Sequence, residues 1–460
     1  MLKRRPDGFA AFTVIWLGQL FSAVGTRMTS FALGIWMWNG TGSAMDNALL
    51  LFASFGSTVL VSPLAGALID RWNRRVTIVL SDVGSMVVTA GLLLCFELGA
   101  AKPWEIFLAN ALTGALLAFQ GPAYAAMIAQ MMDRGAWPRA NAMISVVRFA
   151  PSIFAPTVAA ALLTVTTIGP VLVIDVLSYV VAIGTVFLVA VPPTPKAAEA
   201  QASSLWQDSL FGLRYIRGRS ALVGLEILMF MVGLLAAMGY AVLMPLLLVK
   251  SDESITGLAF TIGAVGGVLG AVLMGVLKPT NNKMRRLLLA MLAFSVVGRI
   301  VFGVADNLFL WGIAMVVIHG CIPVIDGYGN AIWQEKVAPE IQGRVFAARQ
   351  FIEDMAVPIG LIGAAPLAQD VFLPGMEPGH ALSRAFGWMV GTGPGSGMGL
   401  LCVLVGVVGI VVTAVAFAVP AVRDVEKLIP DFVPVDADES ASAAESVPSG
   451  IDAAAAPHVG

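Results

Sequence analysis

The chain has 460 residues, 58% hydrophobic and 12% charged, with a formal net charge of −2 and a mean hydropathy of +0.87. Ordinary soluble domains carry about 25% charged residues, so this composition excludes a water-soluble globule and predicts an all-α polytopic membrane protein. The net charge says nothing about partners, since topology depends on where Lys and Arg fall rather than on their sum, and nucleic acid is not suggested.

A spanning helix needs roughly 20 apolar residues. Twelve such runs, spans 1 to 12, are expected over residues 9–38, 47–69, 76–97, 104–127, 140–164, 170–191, 221–247, 256–277, 286–304, 308–331, 344–372 and 397–419. Lys3, Arg4 and Arg5 precede span 1, which runs on without a cleavage site and is expected to be retained rather than removed as a signal peptide. Between spans 2 and 3, Gly66-Ala67-Leu68-Ile69-Asp70-Arg71-Trp72-Asn73-Arg74-Arg75 packs one acid and three arginines into a hinge at a membrane face. Asp70 ends a helix whose dipole opposes its charge, so it needs a cation or another helix's N-terminus as partner. Lys and Arg number 20 in the N-terminus, the tail and the loops after the even-numbered spans. The opposite side has only Lys102, Lys250 and Arg384. Both termini are therefore expected in the cytoplasm, in a multi-pass protein of the cell membrane.

Pro192 to Ser220 is the longest connection and the natural boundary between two halves, giving an N-terminal half over 1–191, a linker over 192–220 and a C-terminal half over 221–419. Within the linker, Leu205 to Ile216 carries apolar residues at helical spacing with basic residues between them, open between an interfacial helix and a loop packed on the bundle. From Pro420 the chain turns acidic and rich in Ala, Ser and Pro, and a disordered tail is expected over 420–460. Arg139 and Arg344, each followed by a proline (Pro151, Pro358), give spans 5 and 11 a loose internal correspondence. Two six-helix halves around a central site is a transporter plan.

The hinge resembles the loop between helices 2 and 3 of the major facilitator superfamily, with Asn73 standing where that family has a second glycine. Trp16-Leu17-Gly18-Gln19-Leu20, Pro138-Arg139-Ala140-Asn141-Ala142, Gln342-Gly343-Arg344-Val345-Phe346 and Gly391-Thr392-Gly393-Pro394-Gly395 resemble the drug-efflux branch that contains macrolide exporters and the enterobactin exporter. That resemblance implies twelve transmembrane helices in two pseudo-symmetric bundles and export of an amphipathic small molecule such as a drug, antibiotic or siderophore. It also implies a conformational latch over Gly66, Asp70, Arg71, Arg74, Arg75, Gly343 and Arg344. Two motifs depart from the proton-coupled antiporters: Leu117 stands at their helix 4 arginine position before Gln120-Gly121, and Ala155-Pro156-Thr157-Val158-Ala159-Ala160 replaces Gly-Pro-x-x-Gly-Gly.

Charged side chains inside a membrane are costly and mark functional candidates. Glu353 and Asp354 of span 11 lie near the midplane, with Asp326 and Glu226 as further acids that could couple transport to protons. Arg349 and Glu353 share a helix face and are expected to form a salt bridge, whereas Asp354 faces neutral Gln350. Glu226 is expected to make an inner-gate salt bridge. Gln19, Arg27, Gln120, Arg148, Arg349 and Gln350 are cavity or gate candidates, while Asp82, Asp175 and Arg299 fall on helices that the resemblance places outside the cavity and are expected to be structural. No P-loop, nucleophile–base pair or histidine cluster is present, so neither ATP, an enzymatic reaction, a metal nor another cofactor is expected. The expected partners are an amphipathic substrate, protons and the lipid bilayer, with the chain acting as a monomer. Metabolite uptake, or a non-transporting receptor or assembly role, remain the alternatives.

Overall fold

The computed structural model of the chain describes residues 8–69, 72–131, 137–189, 205–277 and 280–429. Twelve helical stretches of at least 20 residues follow one another there in the expected order. Spans 1 to 6 are Gly8–Thr41, Ala44–Ile69, Arg74–Glu97, Pro103–Met131, Trp137–Val165 and Gly169–Leu188. Spans 7 to 12 are Ser220–Lys250, Glu253–Val276, Lys283–Val304, Leu308–Lys336, Ile341–Gly375 and Ser396–Ala418. Each reaches about 30 Å or more at 1.5 Å per residue. Several helices begin earlier than their apolar runs because a polar residue caps them. Asp252 accepts from the Ile255 N–H at 2.8 Å, so span 8 starts at Glu253 rather than 256. Asn73 does the same for span 3, its Oδ1 accepting from the Arg75 N–H at 3.0 Å with φ −69°. That conformation needs no glycine, which accounts for the departure at this position.

Spans 1, 5 and 6 pack together, as do 2 with 4 and 3 with 4 and 6; in the second half 8 packs with 10, 7 with 11, and 9 with 12. The halves meet through spans 5 and 8 and through spans 2 and 11. The bonds across the first seam lie away from the basic loops, on what is here called the far side. Thr157 Oγ1 is 2.6 Å from Thr261 Oγ1 and donates to the Gly257 carbonyl at 3.3 Å, while Thr261 donates to the Ile153 carbonyl at 2.7 Å. A Cβ on Gly257 would lie 2.8 Å from Ala160 Cβ and 2.9 Å from the Pro156 carbonyl oxygen. The small residues of the Ala155–Ala160 stretch thus admit a backbone contact that larger side chains would prevent. Asn39 donates to Glu253 at 2.8 Å, and Phe31 meets Phe260 edge-on at 5.7 Å.

The linker contains a 13-residue helix, Leu205–Arg217. It lies against span 11: a Cβ on Gly212 would come 2.5 Å from the Arg344 carbonyl oxygen, and the Arg344 guanidinium sits 4.3 Å above the Phe211 ring. The expected disorder from Pro420 needs correction for its first ten residues. Short helices Pro420–Arg423 and Val425–Leu428 dock on the basic side, with Val425 fully buried. There Glu426 accepts from the backbone N–H groups of Lys283 and Met284 at 3.1 and 3.0 Å, capping span 9. Lys336 at the end of span 10 donates to the Glu426 and Ile429 carbonyls, each at 2.6 Å. The composition is acidic overall, but these few residues supply the partners that two helix ends need. The rest of the tail lies outside the described residues.

Candidate functional site

In the first half the polar groups gather on Asp82, which is fully buried. Gln19 donates to its Oδ2 at 3.0 Å, and Gln120 donates to its Oδ1 at 2.7 Å and to Gln19 Oε1 at 3.1 Å. Spans 1, 3 and 4 are joined at one carboxylate, and both its oxygens receive a donor, as burial of a charge requires. The amides of Gln19 and Gln120 are therefore engaged with Asp82. A second acid, Asp175 of span 6, accepts from Thr26 at 3.2 Å, and Thr26 lies 2.9 Å from the Tyr179 hydroxyl. Arg27 is exposed on span 1. The side chain of Arg148 lies outside what the structure describes.

In the second half Arg349 of span 11 pairs with one acid, Glu353. Arg349 is buried and binds Glu353 through Nε at 2.7 Å and Nη2 at 3.3 Å, with its guanidinium 5.4 Å over the Trp333 ring. This is the pairing that the four-residue spacing implies. Glu226 of span 7 and Asp326 of span 10 both feel the charges of Arg349 and Glu353. Glu226 is 4% exposed, and neither carboxylate oxygen has a hydrogen-bond partner among the described residues. Glu226 makes no salt bridge among the described residues, and Arg349 is engaged by Glu353. Asp326 and Gln350 are exposed although they lie within spans 10 and 11, and Gln350 donates to Asp354 at 2.8 Å. Charged and polar side chains at membrane depth face the bundle interior or a cavity rather than lipid.

Arg299, expected to be structural, is the most deeply buried arginine described, at 1% exposure. It lies in a π-helical stretch of span 9, Phe294–Val301, donates to the Ala236 carbonyl of span 7 at 2.8 Å, sits 4.9 Å over the Phe294 ring and leaves Nε and Nη1 without a hydrogen-bond partner among the described residues. A lone arginine in an apolar run gives no hint of a π-turn, so this placement was not legible beforehand.

Of the latch residues, Asp70 and Arg71 lie outside the described residues, and Gly66 and Arg74 are placed only as the last turn of span 2 and the first residue of span 3. Arg75 donates to the Val186 carbonyl at 2.9 Å and lies 5.4 Å over Phe187, tying span 3 to the end of span 6. Gly343 is open to within 4 Å, and Arg344 stacks on the linker helix.

Residues 15–361 match the Major Facilitator Superfamily. The chain belongs to this superfamily. Major facilitator proteins move small molecules across membranes, and this chain is accordingly a multi-pass transporter rather than an enzyme. Among relatives of this major facilitator, "Macrolide efflux protein A" of Streptococcus pyogenes is 25% identical over 375 residues, covering 78% of this chain and 90% of that protein. A bacterial homologue of the human lysosomal transporter Spinster, solved inward-facing and unoccupied, superposes with a TM-score of 0.64 at 14% identity, over 92% of this chain and 98% of that one. A bacterial homologue of the iron transporter ferroportin, also inward-facing, gives 0.60 at 15% identity, over 88% and 98%. These likenesses extend through both halves.

Proposed function

We propose that this transporter exports an amphipathic small molecule across the cell membrane by alternating access, in exchange for protons. The observation that supports the reading is the Arg349–Glu353 pair on span 11, with the acids Glu226 and Asp326 on the neighbouring spans 7 and 10, while hydrogen bonds join spans 5 and 8 on the far side. If the basic side faces the cytoplasm, as the positive-inside rule expects for both termini, the structure is the inward-open member of the cycle. Substrate and protons would then exchange with the cytoplasm at Glu226, Asp326 and the Arg349–Glu353 pair. Two carboxylates beyond the one that Arg349 neutralises give the cluster charge to gain or lose. Glu226 has the strongest claim to the proton, because a carboxylate with no donor is where the arrival of a proton changes the local energy most. Asp354, ranked ahead of it on sequence grounds, already has a donor in Gln350.

The macrolide efflux relatives support a macrolide-sized amphipath as the first substrate to try. Closure of the basic side would carry Asp70 to the N-terminal turn of span 11 near Gly343 and Arg344, where the helix dipole favours a carboxylate. Arg344 would have to leave Phe211 for that contact. A monomer suffices for the mechanism, since both halves lie in one chain. The test is accumulation of a radiolabelled macrolide in cells with and without the protein. The reading expects several-fold lower accumulation with the protein, restored by a protonophore; equal accumulation of every amphipath tried, or higher accumulation with the protein, would overturn export.

A further inference from the structure

Beyond the central cluster, the far side contains a cavity of about 490 Å³ at the junction of the halves, where the ends of spans 1, 3 and 5 meet the starts of spans 6 and 8. We propose that it is a second ligand site, for an organic cation with an aromatic or otherwise apolar body. Its volume is that of a pocket for a drug-sized molecule. Trp36 and Phe96 form one wall, their rings edge to face at 5.2 Å, and Ile35 and Leu163 add aliphatic surface. The charged side chains lining it are Glu97 and Glu253, with no lysine or arginine among the lining residues. Carboxylates beside an indole face suit a cation, which gains from both the charge and the ring quadrupole. A metal ion fits poorly: no group of three or more ligating side chains comes together among the described residues, and most of the wall is apolar.

The two acids are held by different elements. Glu97, at the end of span 3, lies against Gly169 at the start of span 6, where a Cβ would approach its Oε1 to 2.5 Å. Glu253 begins span 8 and is held by Asn39 across the junction of the halves. A cation in this cavity therefore touches both halves and can bind fully only while the far side is closed. Its occupancy would favour that state.

The test uses N-benzylpyridinium, an aromatic cation that quenches tryptophan on contact, with the purified full-length protein in detergent and no gradient, so the outcome is independent of export or coupling. The Trp36→Phe variant isolates the part of the quenching that Trp36 contributes. That part is expected to saturate, with half-saturation shifted at least fivefold upward in Glu97→Gln and in Glu253→Gln. Glutamine at 253 can still accept from Asn39, so the seam is spared. Quenching by contact that never saturates, or saturation unchanged in either glutamine variant, would overturn the proposal.

Discussion

Arg349 and Glu353 are joined by two hydrogen bonds, at 2.7 and 3.3 Å, one turn apart on span 11. Arg349 is thus engaged, and Glu226 is left in the bundle with no donor among the described residues. The two acids should therefore respond differently to neutralisation. Glu226→Gln is expected to fold normally and to keep substrate exchange while losing at least tenfold in transport driven by a pH gradient. Glu353→Gln removes the charge that holds a buried arginine and is expected to cost about 2 kcal/mol of stability. Thermal unfolding and counterflow measured on both variants separate the two effects.

Asp82 carries a different expectation. Its oxygens accept from Gln19 and Gln120 and join three spans, so Asp82→Ala leaves the buried Gln19 amide without its acceptor and the half-buried Gln120 with Gln19 alone. A loss of about 1–3 kcal/mol follows, and it should appear as lower thermal stability in detergent, with substrate affinity in the surviving folded protein unchanged.

Thr157 contributes two hydrogen bonds to the far-side seam. Hydrogen bonds between membrane helices average about 0.6 kcal/mol each, so Thr157→Val should destabilise the closed far side by about 1 kcal/mol, roughly a fivefold change in the ratio of the two states. Spin-label distances between the far-side ends of spans 5 and 8 would report it as a larger population of the long distance. Gly257→Val, which pushes a side chain into Pro156 and Ala160, should shift the population further in the same direction.

The twelve spans and their order were legible in the sequence because apolar runs of bilayer length leave few alternatives, and the i,i+4 pairs Arg349–Glu353 and Gln350–Asp354 followed from helical spacing alone. What was not legible depends on contacts between distant segments. Asp82 lies 63 residues from Gln19 and 38 from Gln120, and nothing local signals that the three converge. Glu226 reads as half of a salt bridge from its position near a helix end, because nothing local shows that the described residues around it supply no donor. The ordered start of the tail is hidden for a related reason: its acidic composition argues for disorder, yet Glu426 caps a helix 143 residues away.

That docking gives a further expectation. Glu426→Ala removes the acceptor from two N–H groups at the start of span 9, a cap worth about 1 kcal/mol. Lys427 should then become a readily cleaved trypsin site in the folded protein, seen as faster loss of the C-terminal segment by mass spectrometry.

The claim that one arginine and three acids couple protons to export is tested most directly in proteoliposomes, by following a labelled macrolide under an imposed pH gradient in the protein and in Glu226→Gln. The account predicts gradient-driven accumulation that a proton ionophore abolishes, and a variant that exchanges label across the membrane but no longer accumulates it. Accumulation by Glu226→Gln at the full rate, with the same dependence on the gradient, would contradict it.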